Sequence, residues 1–252
     1  MVEFRVFRFD PDDGEPKFDR FQVPVEKGMT VLEGLYYILE NLDSSLAFRS
    51  SCRSAVCGSC AMHINGCYRL ACRTQVAALE PPIIIRPLAH LPILRDLVVD
   101  MGPFFAHYEA IRPYLVSKEP PPEQEYLQSQ KERKRLDGLV DCILCGACYG
   151  ACPLGLSDPN YLGPHAFLQT LRFLEDSRDG AKEERLALIG TEDGAFRCHT
   201  VFSCQRVCPK DLDPSGAIAD LKLRLTLAKL RRIFRRSWEH SLFLNRQSSK
   251  TL

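Results

Sequence analysis

No stretch of the sequence reaches the roughly 18 to 20 continuous apolar residues that span a bilayer. The most apolar part, residues 81–105, is interrupted by Arg86, His90, Arg95, Asp96 and Asp100, so the chain is expected not to cross a membrane by itself. An apolar N-terminal signal segment is also missing, since the chain opens Met1-Val2-Glu3-Phe4-Arg5. Its twelve cysteines therefore do not read as the disulfide framework of a short secreted domain, and metal ligation in a reducing compartment is expected. Charge excess is absent too. With 33 basic against 32 acidic residues the net charge is +1, which points to no nucleic-acid partner. Histidines at metal-ligand spacing are lacking: His63, His90, His107, His165 and His240 stand apart and read as ordinary residues. Tryptophan occurs once, at Trp238. At 252 residues the chain has room for about two domains, each with its own core.

Cysteine dominates what is present. Cys52-x4-Cys57-x2-Cys60, with Cys72 as a distant fourth, has the plant-type ferredoxin spacing for a 2Fe-2S cluster. Structural zinc in a four-cysteine site is the competing reading. Zinc sites usually pair two C-x2-C knuckles, and the x4 gap in a Gly- and Ser-bearing loop favours iron. Further on, Cys142-x2-Cys145-x2-Cys148-x3-Cys152-Pro153 has the bacterial ferredoxin spacing and is answered by Cys198-x5-Cys204-x3-Cys208-Pro209. In two-cluster ferredoxins the last cysteine of each run ligates the other run's cluster. Cys142, Cys145, Cys148 and Cys208 are then expected around a 4Fe-4S cluster. Cys152, Cys198 and Cys204 are left as three, because Val201 stands where a further cysteine would complete the set. A cube lacking one ligated corner readily becomes 3Fe-4S. Cys67 is left over, either as a small half-buried residue or as a spare or redox-sensitive thiol. His199, next to Cys198, is expected to pack or donate a hydrogen bond rather than ligate.

The segments between the cysteines have their own periodicities. Val2, Phe4 and Val6 alternate as a half-buried strand, and the alternation slips at Phe7, which predicts a bulge or a strand end covered on both faces. A turn at residues 10–14 and the alternating Phe21, Val23 and Val25 complete a hairpin. Thr30 and Glu33 form a capping-box signature before Leu32, Leu35, Leu39 and Leu42 at helical spacing. Residues 48–72 read as a cysteine-bearing loop, and Ile83-Ile84-Ile85 as a proline-bounded strand that closes the small sheet. These elements suggest an α+β chain with a β-grasp ferredoxin-like domain over 1–105 and a linker over 106–138. An all-α ferredoxin-like domain over 139–228 follows, with Leu168, Leu171 and Leu174 on one helical stripe and Ile218, Leu221, Leu223 and Leu225 on another. A basic tail occupies 229–252. Among its leucines, and just before it, stand Lys222, Arg224, Lys229, Arg231, Arg232, Arg235, Arg236 and Lys250, with Phe234 and Trp238. It reads either as a solvated helix face or as a surface for anionic headgroups or a charged anchor rim.

The order of these motifs closely resembles the iron-sulfur subunit of succinate:quinone oxidoreductases, the succinate dehydrogenases and fumarate reductases of respiratory complex II. The strings Phe48-Arg49-Ser50-Ser51-Cys52, Ile85-Arg86-Pro87-Leu88, Arg95-Asp96-Leu97-Val98-Val99-Asp100-Met101, Asp141-Cys142-Ile143-Leu144-Cys145 and Val207-Cys208-Pro209-Lys210 carry it, over about residues 3 to 226. The resemblance implies a peripheral membrane subunit on the cytoplasmic or matrix-equivalent side. It also implies a flavoprotein partner that oxidises succinate at FAD, anchor subunits with or without haem, and a relay through 2Fe-2S, 4Fe-4S and 3Fe-4S clusters to a quinone. No succinate-binding or other catalytic residue is expected on this chain. Pro153, His199 and Val201 match positions on the quinone side of the 3Fe-4S cluster. Two departures stand out: Cys60 takes a position where family members often carry aspartate, and Leu156 and Ser157 take the place of a tryptophan pair, one of which bonds the quinone. The same relay run in reverse as a quinol:fumarate reductase is an alternative. A free ferredoxin-like carrier is a second, disfavoured by the near-neutral charge and the apolar segment 81–105, and a zinc module is a third.

Overall fold

The computed structural model describes residues 1–248 other than 13, 119 and 121, and side chains as far as residue 231. The expected contacts of Arg232, Phe234, Arg235, Arg236, Trp238 and Lys250 lie outside the described side chains. Strand β1 (Val2–Arg8) pairs antiparallel with β2 (Lys17–Val23). Their register continues unbroken through Phe7↔Phe18 and Arg8↔Lys17, so the bulge expected at Phe7 does not form. Alternation persists because Arg8 takes the inward place. Its guanidinium is buried only because Asp96, Asp19, Asp43 and the Ser45 hydroxyl surround it. Asp96 also accepts the amides of Phe9 and Ala47, which ties the strand end to the segment after the first helix. Phe7 points outward and meets Phe18 edge-on at 5.7 Å.

Helix α1 (Val31–Asn41) starts at the expected capping box, with Thr30 and Glu33 each satisfying the other's backbone amide. Its buried face is Val31, Leu32, Leu35 and Ile38, whereas Leu42 caps the end and is exposed. The presumed loop contains a hairpin, β3 (Ala61–Ile64) and β4 (Cys67–Leu70), joined at Asn65-Gly66, both with positive φ. Strand β5 (Ile83–Arg86) is central rather than terminal, parallel to β1 on one side and antiparallel to β3 on the other, in the order β2-β1-β5-β3-β4. Both of its neighbours contribute to one core with α1, which explains the run of three isoleucines. A small ribbon, β6 (Ile93–Arg95) with β7 (Val98–Val99), follows.

Helix α2 (Gly102–Ala110) begins where the sequence suggests the approach to a linker, and it buries Phe104 completely against His165 and Tyr149. The described part of residues 111–129 then runs without helix or strand to the short α3 (Gln130–Lys134). That extended run is fastened by Arg185 of α7 (Lys182–Ile189), itself 1% exposed. Arg185 pairs with Asp179 through two bonds, donates to the carbonyls of Ile111, Arg112 and Tyr114, and lies over the Phe173 ring. Burial alone would raise the Asp179 pKa, but the Arg185 bonds and the amides of Val116 and Ala181 outweigh it and hold the group below its ordinary value.

The second half is helical. Short helices α4 (Ala147–Gly150), α5 (Leu154–Ser157) and α8 (Ser203–Arg206) carry or flank cysteines. The longer α6 (Pro164–Glu175) and α9 (Pro214–Ser248) pack on each other. Leu168, Leu171, Leu174, Ile218, Leu221 and Leu225 share this core as the spacing implies. Leu223 falls off the stripe and is 58% exposed. Among the described residues no helix is long and apolar enough to cross a membrane.

Candidate iron-sulfur centres

The first cysteine set lies at the edge of the β-domain, in a loop wound by residues of positive φ: Arg53, Ala55 and Gly58. This winding turns three amides, those of Ser54, Val56 and Cys57, onto the Cys52 sulfur, each at 3.3 Å. Amides aimed at a sulfur stabilise its thiolate. The Ser59 hydroxyl, followed by the backbone at Cys52, lowers Cys57 to about 6. Burial has the opposite effect on Cys60, which is raised to about 12 and interacts with Cys72 and Cys57. Cys52, Cys57, Cys60 and Cys72 are thus neighbours, and a thiolate at Cys60 needs a cation to offset burial.

The two remaining sets separate into two cavities, each with about 370 Å³ of space counted to its open mouth. Cys142, Cys145, Cys148 and Cys208 line one, and Cys152, Cys198 and Cys204 line the other. The last cysteine of each run has therefore crossed to the other run's cavity. Within the first cavity burial lifts Cys145 to about 11 and drives Cys148 well above its usual range, with neighbouring thiols adding to the rise. In the second cavity burial, then the neighbouring thiols, raise Cys152. Cys204 is raised by burial as well, against the pull of the Ser215 hydroxyl. Enclosed thiols that resist ionisation together fit a polynuclear cationic core whose irons stabilise the thiolate form. Among the described residues no three His, Cys, Asp or Glu side chains converge at the distances of a single ion.

The cavities are joined to the first loop by direct contact. A Cβ on Gly58 would lie 2.8 Å from the Cys145 Cβ, and one on Gly146, at φ 80°, would lie 3.1 Å from Leu88. The missing Cβ of Gly146 makes room for Leu88 and Met101 of the β-domain. Arg73 also reaches across to donate to the Pro209 carbonyl at 2.5 Å.

Beyond the cysteines, Pro153, His199 and Val201 all line the Cys152 cavity. They are exposed, with Val201 at 59%, and they sit at its mouth with the exposed Phe202. Helix α5 lies beside them: Leu156 is 81% exposed, and the Ser157 hydroxyl is turned to the Leu154 carbonyl. Cys67 opens β4 and leans on the Tyr68 carbonyl. Two further groups stand near the cysteine sets, one read from the sequence as ordinary and one not singled out there. His165 is fully buried, stacked on Phe104 with its Nε2 on the Phe104 carbonyl, and burial lowers it to about 3. Tyr161 lines the Cys152 cavity from within; its only signal in the sequence is a tyrosine nine residues after Cys152.

Residues 3–106 match a family described as a 2Fe-2S iron-sulfur cluster binding domain, and residues 138–212 match a 4Fe-4S dicluster domain. The chain is 42% identical over 222 residues to the succinate dehydrogenase iron-sulfur subunit of Paracoccus denitrificans, covering 87% of this chain and 86% of that one. Among solved structures it is similar to a chain of the Mycobacterium smegmatis Sdh1 complex in its apo form, with TM-score 0.81 and 26% identity over 91% of this chain and 97% of that one. A hypothetical protein from Helicobacter pylori shares the fold at TM-score 0.54 and 18% identity, over 88% of this chain and 39% of that one. With two cysteine-bearing domains in this order and a relative of that identity along most of its length, the chain belongs to the succinate dehydrogenase iron-sulfur subunits.

Proposed function

We propose that this subunit conducts electrons from the FAD of a partner flavoprotein to a membrane quinone. In this reading Cys52, Cys57, Cys60 and Cys72 hold a 2Fe-2S cluster, Cys142, Cys145, Cys148 and Cys208 a 4Fe-4S cluster, and Cys152, Cys198 and Cys204 a 3Fe-4S cluster. The observation that carries it is the sorting of cysteines into two cavities with their last members exchanged. When bound, such clusters accept one electron at a time, which turns a two-electron flavin oxidation into single steps.

The chain's own residues support a linear order. Gly58 lets the first loop rest on Cys145, so the shortest route out of the β-domain runs towards the Cys142 cavity. From there α4 leads to Cys152 within a few residues. The last cavity opens through an apolar mouth of Val201 and Phe202 near Leu156, a surface suited to a hydrophobic anchor and an apolar quinone tail. Pro153, His199 and Val201 form this chain's share of the quinone side. The Leu156 side chain has no hydrogen to donate and the exposed Ser157 spends its hydroxyl on the Leu154 carbonyl, so in this reading the anchor supplies the polar group that replaces the indole donor. The subunit is thereby held peripherally, on the cytoplasmic or matrix-equivalent side.

Redox titration of the purified complex by electron paramagnetic resonance tests the reading. Three distinct centres and about nine irons per chain, from clusters of two, four and three irons, are expected. A colourless zinc protein, or a chain that purifies alone, would overturn it.

A further inference from the structure

The Cys152 cavity has two faces of opposite character. Val201 and Phe202 at its mouth are 59% and 56% exposed, while Tyr161 and Ser215 inside are 2% and 4% exposed. Tyr161 packs its ring on Phe167 at 5.4 Å. Its hydroxyl is fully enclosed and makes no hydrogen bond of ordinary geometry among the described residues; the Cys198 sulfur is the group within bonding reach, and the thiols of Cys152 and Cys204 also act on it. Burying a donor without an acceptor is costly, and native interiors rarely leave one. Phenylalanine would fill the same space without that cost. The hydroxyl therefore calls for an acceptor, and the sulfurs on the Cys198 side are the ones at hand. Ser215 reaches the same cavity from α9, with its Oγ 3.3 Å from the Cys204 sulfur.

We infer that the Tyr161 and Ser215 hydroxyls donate hydrogen bonds to sulfurs of the third cluster, Tyr161 on the Cys198 side and Ser215 to Cys204, and so hold its reduction potential up. The inference rests on the proposed assignment of Cys152, Cys198 and Cys204 to that cluster. When one electron arrives from the preceding cluster, negative charge grows on the sulfurs. No bond is made or broken, and both hydroxyl protons stay on their oxygens. A fixed donor gains more from the reduced form than from the oxidised one, so it raises the potential. Both donors lie in the enclosed part of the cavity, where water does not weaken them. They are positioning groups that tune the exit centre and do not touch substrate.

The test uses the intact purified complex with Tyr161→Phe, Ser215→Ala and Ser215→Thr. Redox titration of the 3Fe-4S resonance is expected to show a lower midpoint in Tyr161→Phe, with the oxidised-to-reduced ratio at a fixed potential raised about tenfold, equivalent to about 59 mV for one electron. Ser215→Ala shifts in the same direction, and Ser215→Thr, which keeps the hydroxyl, restores the unsubstituted value. Electron-nuclear double resonance should lose one strongly coupled proton in Tyr161→Phe. If Tyr161→Phe does not assemble, the two Ser215 variants decide. An intact 3Fe-4S resonance with unchanged midpoints overturns the inference, whereas its absence from the unsubstituted complex overturns the cluster assignment instead.

Discussion

Gly58 makes two demands on its residue type, and they can be separated experimentally. Its φ of 76° costs any L side chain about 1–2 kcal/mol. An alanine Cβ would also meet the Cys145 Cβ at 2.8 Å, its Cα at 3.0 Å and the Ile143 carbonyl oxygen at 3.1 Å. Two of these three are backbone atoms, which cannot swing away. Ordinary contact begins at 3.4 Å, so the first cysteine loop and the Cys142 loop must part by at least about 0.6 Å. Overpacking of this kind typically costs a further 1–3 kcal/mol, roughly. Gly66 is the control: its φ is 80° and a Cβ there would meet nothing within 4 Å. Gly66→Ala therefore incurs only the conformational cost. Gly58→Ala should melt lower than Gly66→Ala by about 2–12 °C in the intact complex, taking about 2–4 °C per kcal/mol for a chain of this size. Electron passage from the first to the second cluster, followed by freeze-quench resonance, should slow in Gly58→Ala alone, because tunnelling weakens steeply with separation. Equal melting temperatures with unchanged inter-cluster rates would refute the claim that this contact sets the gap.

Val201→Cys offers a sulfur at the mouth of the Cys152 cavity and should convert the third centre to a 4Fe-4S cluster of lower potential, with slower quinone reduction; an unchanged 3Fe-4S resonance would count against the ligand set. Arg185→Ala leaves the Asp179 charge buried without its cation and takes a donor from the carbonyls of Ile111, Arg112 and Tyr114, which should cost about 3–5 kcal/mol and expose residues 111–129 to protease, whereas a chain equally resistant to protease would show that Arg185 is not the fastening. Burial, then the Arg86 charge, hold the His63 imidazole below its ordinary pKa. The unfolded chain then takes up that proton first as pH falls through about 6.5, so stability declines from there towards the lowered folded value by at most about 1.4 kcal/mol per pH unit. Melting curves of His63→Gln across that window should show a shallower decline.

The fold was legible where one local rule governed it. The Thr30 capping box, the first hairpin and the α6 stripe follow from the sequence because neighbours along the chain satisfy one another. Reading failed where a distant partner decided the outcome. Arg8 looked like a break in alternation because the carboxylates that let it turn inward come from positions 19, 43 and 96. The β3–β4 hairpin hid inside a cysteine loop because its strands are four residues each, too short for a period to show, although Asn65-Gly66 marked the turn. The helix over 102–110 was not legible, and its second half looked like linker, because Pro103 opens it and its aromatics are spaced for contacts with Tyr149 and His165 rather than for an amphipathic stripe.

A similar divide runs through the candidate centres. At the first, the groups that face Cys52 are amides of the same loop, supplied by residues 54, 56 and 57, so the motif encodes both sulfurs and surroundings. At the third, spacing names three cysteines and the missing fourth, but the surroundings come from elsewhere: Tyr161 from the segment after α5, and Ser215 and Lys222 from α9, with Lys222 bonding the Cys198 carbonyl at 2.7 Å. Cysteine spacing fixes how many irons a site can hold. The groups facing the sulfurs fix how readily it is reduced. In the proposed relay, whose first centre is built locally and whose last is built from the tertiary fold, the exit is therefore open to adjustment by single substitutions at 161 or 215, with every cysteine left in place.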